Sequence, residues 1–207
     1  MAWGCGRPTQ RAKGKGLSET HCKSHVEFHR RHGSYWCKSF TKAELAPYRK
    51  AASVWLKAKQ DIPMMSRVIA ALQEMIDSSG SQVSAYALRG LPPERRADAV
   101  LANLRAAGKS GRQLLLLTLT IKAAQSDLGP RGDREFLHVQ IAKATHRLAS
   151  GTHRTPSGFP IKSKYPRAEG RFMRTLGFKI EDTAGIVADY EAAQEVRDLA
   201  HSFKRET

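Results

Sequence analysis

The stretch "GRQLLLLTLTIKAAQ", Gly111 to Gln125, decides how this chain folds. Its middle, Leu114 to Ile121, is apolar with a β-branched end and would suit a buried strand, whereas Gly111-Arg112-Gln113 before it and Lys122-Ala123-Ala124-Gln125 after it suit a helix. No convincing run of period-two alternation appears elsewhere, so a strand here would have no partner to pair with. The segment is therefore expected to be a helix buried nearly all round at the centre of a helical bundle.

Outward from it, apolar residues recur at spacings of three and four, which predicts helices over 41–59, 64–79, 93–107, 110–127, 133–150 and 186–203. Thr41-Lys42-Ala43-Glu44 is a capping-box pattern, and Leu45, Tyr48, Ala52, Trp55 and Leu56 follow it on one helical face, with Pro47 tolerated in the first turns. The breaks are turn-type clusters at Asp61-Ile62-Pro63, Ser78-Ser79-Gly80-Ser81, Gly90-Leu91-Pro92-Pro93 and Gly129-Pro130-Arg131-Gly132. Between Gly151 and Gly177 the periodicity gives way to Pro, Gly, Ser, Lys and Arg, the composition of a long irregular arm. From Glu181 the charge turns acidic, and a last helix is expected to pack through Ile186, Val187, Tyr190, Val196 and Leu199. The expected fold is mainly α: a small N-terminal module over 1–40, a helical bundle over 41–150, a basic arm over 151–180 and an acidic C-terminal helix over 181–207.

Lys and Arg number 35 against 19 Asp and Glu, a formal net charge of +16. Such an excess attracts polyanions through counterion release and steering, so DNA or RNA is the expected partner, ahead of an anionic membrane. No apolar run approaches the roughly 18 residues of a membrane span and no charged-then-apolar leader is seen, so a cytoplasmic protein is expected.

All three cysteines and four of the eight histidines fall between Cys5 and Cys37. Three cysteines cannot all pair with one another, and a cytosolic setting disfavours disulfides, which leaves metal binding as the better use. Cys22-x2-His25 at the start of a helix places a thiolate and an imidazole about one turn apart, and Gly6 after Cys5 permits a tight turn. Residues 1–40 hold too few aliphatics for a core of their own, so bound Zn²⁺ would supply the missing folding free energy.

The residues Cys5-Gly6-Arg7-Pro8, Gly16-Leu17, Cys22-x2-His25 and Arg30-Arg31-His32-Gly33 resemble the small zinc-binding module of phage HNH homing endonucleases and related mobile-element proteins. The resemblance covers about thirty residues and departs in two places. The family's first cysteine would fall before residue 1, and Ser18-Glu19-Thr20-His21 is inserted ahead of Cys22. Cys5, Cys22 and His25 are thus expected ligands, with Cys37 as the fourth and His29, His32 and His21 as its substitutes.

Two basic clusters would meet the nucleic acid. Arg7, Arg11, Lys13, Lys15, Lys23, Arg30, Arg31 and Lys38 surround the module, with Tyr35 and Trp36 either stacking on bases or anchoring the module to the bundle. Lys143, Arg147, Arg154, Lys162, Lys164, Arg167, Arg171, Arg174 and Lys179 follow, with Lys143, Arg147 and Gln140 on one helical face. His138, His146 and His153 would suit a nuclease, but no complete HNH core follows the module, and Asp133 and Glu135 sit where helix capping explains them. The leading expectation is a zinc-stapled nucleic-acid-binding protein of a bacterial or phage mobile-element or defence system. The alternatives are a structural subunit of an RNA-guided or transposition complex, and a diverged metal-dependent nuclease.

Overall fold

In a computed structural model, which describes residues 5–9, 20–83, 87–149 and 170–205, the leucine-rich stretch is one helix, α5, Gly111–Leu128. Ser110 and Gln113 close a reciprocal capping box at its start. The β-branched residues that could have favoured a strand are accommodated by back-bonding: Thr118 Oγ1 donates to Leu114 O at 2.9 Å and Thr120 Oγ1 to Leu116 O at 2.7 Å. Leu114, Leu115, Leu119, Ile121, Ala123 and Ala124 are all buried.

The described residues form an all-helical fold without strands. The remaining helices are α1 Lys23–His32, α2 Lys42–Ala58, α3 Pro63–Asp77, α4 Pro93–Ala106, α6 Arg134–Ala149, α7 Arg171–Ala184 and α8 Tyr190–Arg205, with a 3₁₀ turn at Ala87–Gly90. Helix α5 packs against α2, α3, α6, α7 and α8, which makes it the axis of the bundle. The expected capping box at Thr41 and Glu44 opens α2, and Pro63 and Pro93 each sit in the first turn of their helices, where the missing N–H costs nothing. No helix among the described residues is long and apolar enough to cross a membrane.

Two polar links cross the bundle. Asp127 on α5 accepts from the Tyr48 hydroxyl of α2 and meets His201 Nε2 of α8 at 2.8 Å, and burial together with this carboxylate raises the Tyr48 phenol. On the other side, Glu181 of α7 pairs with Lys122 at 2.8 Å and Arg134 at 3.2 Å, with His138 Nε2 at 3.6 Å. His138, Lys122 and Arg134 hold its carboxyl well below the usual carboxylate range, against the opposing effect of burial.

The region from Gly151 differs from its expectation. Residues 150–169 lie outside the described part, but Arg171–Ala184 is a helix where an irregular arm was expected to Gly177 and beyond. Phe172, Met173, Leu176 and Ile180 form its buried stripe. Gly177, placed at the end of the irregular stretch, is a contact point: a Cβ there would stand 2.0 Å from His138 O, so its lack of a side chain lets α7 lie directly on α6. Glu181 correspondingly belongs to the paired interior instead of a solvated acidic face. The last helix begins at Tyr190, and Val196 is buried while Ile186 and Tyr190 are 63% and 75% exposed and do not pack as expected.

Replacing Gly177 by Ala should push the two helices apart and destabilise the protein by about 2–3 kcal/mol, as overpacked contacts do. In a chain of this size that corresponds to a drop of roughly 5–10 °C in the melting midpoint, measurable by circular dichroism.

Candidate metal centre and basic interface

Cys22 occupies the N-cap position of α1, with extended backbone (φ −76°, ψ 165°), and is buried. One turn on, His25 brings Nδ1 to 3.3 Å from Cys22 Sγ, the proximity that the Cys-x2-His spacing predicts. Cys5 reaches the same point from residues 5–9, where Gly6 turns the chain at φ +62°, and its Sγ lies 3.7 Å from Cys22 Sγ. The three donor atoms lie within 4.8 Å of one another, so this group could hold a metal ion. The His25 backbone N–H lowers the Cys22 thiol, and Cys5, the Ser24 N–H and Arg7 act in the same direction against burial. The helix N-terminus thus favours the thiolate, the form that ligates metals, relative to an ordinary cysteine.

Cys37 does not join the group. Its side chain packs against the apolar core, and its N–H donates to Ser34 Oγ at 3.2 Å. The three histidines considered as substitutes are engaged elsewhere. His21 Nδ1 meets Thr20 Oγ1 at 2.8 Å, His29 Nε2 faces Glu135 at 3.3 Å, and His32 Nδ1 accepts the Ser39 N–H at 3.0 Å. Tyr35 lies between the His21 and His29 rings, stacked at 3.6 and 4.1 Å. Trp36 is 54% exposed and leans on the His25 ring at 4.4 Å, so neither aromatic is the anchor to the bundle.

That anchor is the end of α1. Gly33 caps the helix at φ +80°, a left-handed conformation that favours glycine, and presses its backbone onto α6, where an added Cβ would meet Glu135 O at 2.8 Å and Phe136 Cα at 2.9 Å. Gln140, buried on α6, donates through Nε2 to His32 O at 2.9 Å and accepts the Phe40 N–H at 3.3 Å. Sequence reading had placed Gln140 on an outward, phosphate-tracking face; its signal was a polar residue set among the buried apolar positions of α6. Asp133 accepts from Phe136 N at 3.0 Å, the capping role expected of it, whereas Glu135 pairs with His29 and Arg174.

The docking brings the two basic clusters together. Lys143 Nζ of α6 donates to Ser39 Oγ at 2.7 Å, the same serine that donates to His32. Burial, then the like charges of Arg147 and Arg31, push the Lys143 ammonium down to about 8. Burial, then Lys143, Arg31 and Lys38, push His32 down to about 4. Arg31, Lys38, Lys143 and Arg147 therefore share one surface at the α1–α6 junction, and no acidic group is among the influences on Lys143 or His32.

The other expected contacts are dispersed. Arg7 donates to Ser24 Oγ at 3.3 Å, Lys23 and Arg30 are exposed on α1, and Arg171 is exposed at the start of α7. Arg174 turns to Glu135 and Lys179 to Asp98, so both are paired within the fold. Arg11, Lys13, Lys15, Arg154, Lys162, Lys164 and Arg167, together with His153, lie outside the described residues.

No family model, curated protein or solved structure matches the chain.

With Co²⁺ as a probe, the thiolate charge-transfer absorption should be lost on Cys22→Ser and retained on Cys37→Ser, because only the former removes a donor from the group. A second expectation concerns pH. His32 must stay unprotonated at Nδ1 to accept the Ser39 N–H, and in the folded chain it is pushed down to about 4 from the ordinary histidine value of 6.5. The unfolded chain takes up the proton first, so this contribution to docking is present above pH 6.5 and is lost as pH falls from 6.5 through 4. Protection factors of the α1 amides, corrected for the pH dependence of intrinsic exchange, should fall over that window, and His32→Gln should remove the part of the pH dependence that belongs to this ring.

Proposed function

We propose that this chain is a zinc-stapled nucleic-acid-binding protein that holds a phosphate backbone on the junction of α1 and α6. The zinc part rests on the donor set: two thiolates and one imidazole, converging at the N-terminus of a helix, suit Zn²⁺ better than harder cations that prefer oxygen. Bound zinc would tie residues 5–9 to α1 and fix the helix that carries Arg30 and Arg31. Its role in this reading is structural.

The observation that carries the nucleic-acid part is the convergence of Arg31 and Lys38 from the module with Lys143 and Arg147 from α6, where Arg147 and Arg31 add to burial in lowering the Lys143 ammonium. Like charges gathered on one face repel one another in the free protein, and an anion placed among them relieves that repulsion as well as releasing its own counterions. Contacts of this kind go to phosphates and give affinity without sequence readout. The resemblance of the N-terminal residues to the module of phage endonucleases and mobile-element proteins supports a setting in such an element.

Affinity for duplex or single strands should fall steeply with salt. Neutralising Arg31, Lys143 and Arg147 together should lower the slope of log K against log salt by about 2–3, at a little under one per lost phosphate contact. Arg174→Ala, at a residue paired with Glu135, should lower stability and leave that slope unchanged. Absence of salt-sensitive binding by the zinc-loaded protein would overturn the proposal, and zinc analysis of the purified chain tests the metal independently.

A further inference from the structure

Between α2, α5 and α6 the surface opens into a groove of about 370 Å³, within the size range of small-ligand sites. Its walls are aliphatic: Leu45 of α2, Leu116 and Leu117 of α5 and Leu148 of α6, all partly buried. Two uncharged polar groups on α5 line it, and each has an oxygen already engaged locally. Thr120 Oγ1 donates to Leu116 O at 2.7 Å, and Gln113 Oε1 accepts the Ser110 N–H at 3.1 Å. At the rim stand Lys42 and Arg49, exposed on α2, and Arg147 of α6; among the described residues no acidic side chain lines the groove.

These features narrow the ligand. A sugar or a nucleobase would leave its polar edges facing leucine, losing bonds to water without replacement. An aromatic body would find no ring to stack on. An unbranched alkyl chain loses nothing on entering, and a single anionic end would reach the cations at the rim. We propose that this groove binds a medium-chain aliphatic carboxylate, with its chain on Leu45, Leu116, Leu117 and Leu148 and its head at Lys42 and Arg49. The site is separate from the proposed phosphate surface except for Arg147, which borders both.

The test is calorimetric titration of the intact chain with dodecanoate, kept below its micelle concentration. Saturation at one per chain with a negative heat-capacity change is expected, as for buried apolar surface. Octanoate should bind more weakly, dodecylammonium should not bind, and Arg49→Glu should weaken dodecanoate by about fivefold, the scale of an exposed charge contact. Leu117→Trp, which fills the groove, should abolish uptake. Arg49 is exposed, so its variant remains informative should Leu117→Trp perturb the fold. Failure to saturate, uptake of many molecules per chain, equal binding of dodecylammonium, or indifference to Arg49→Glu would each overturn the proposal. None of these outcomes depends on whether the protein binds nucleic acid.

Discussion

One side chain on α6 decides whether the N-terminal module and the bundle act as one body. Gln140 spends its amide on two backbone groups of the module, the carbonyl of His32 and the N–H of Phe40, at opposite ends of the link between α1 and α2. Each would otherwise be a buried polar group without a partner, which costs about 1–3 kcal/mol. The contact works only because Gly33 lets the two backbones approach to van der Waals distance. Phe40, packed edge-on to Phe136 at 5.3 Å, adds the apolar half of the seam. Polar specificity and apolar burial thus select the same register for α1.

That register has an electrostatic consequence. Ser39 and His32 accept and donate within the seam in a way that draws Lys143 inward, so that an ammonium from the bundle and a guanidinium from the module come within reach of each other. The metal group lies at the other end of α1, where Cys22 caps the helix. A ten-residue helix spans about 15 Å, so the ion would hold one end and Gln140 the other. A short polar helix with no fully buried residue of its own has little else to keep it in place.

Much of this was legible in the sequence, and the exceptions have physical reasons. The helix over Gly111–Leu128 could be inferred because its flanks were helical and a strand needed a partner; hydroxyl back-bonding then removed the objection from its threonines. Cys22 and His25 were readable because helix periodicity converts the Cys-x2-His spacing into proximity, and Cys5 because Gly6 after it permits a tight turn. Cys37 was not, since nothing local distinguishes a thiol that ligates from one that packs. Gly177 and Glu181 misled for a related reason. Glycine marks a break when its neighbours are solvated and a close contact when a second helix lies on it, and a carboxylate belongs to the surface until three basic groups from two other helices surround it. Only tertiary structure tells these cases apart.

The cations at the junction could be no more than complements to helix dipoles, since Arg30 and Arg31 fall in the last turn of α1 and Arg147 in that of α6. Magnitudes decide against this. A helix C-terminus presents about half a negative elementary charge, so two termini offset about one cation. Arg31, Lys38, Lys143 and Arg147 bring four positive charges to the region, and neutral His32 adds none. The two helix ends therefore do not account for the whole of this positive charge. Burial is the largest cause of the lowered Lys143 ammonium and the like charges of Arg147 and Arg31 add to it, whereas Arg174 and Lys179 each stand beside a carboxylate, Glu135 and Asp98.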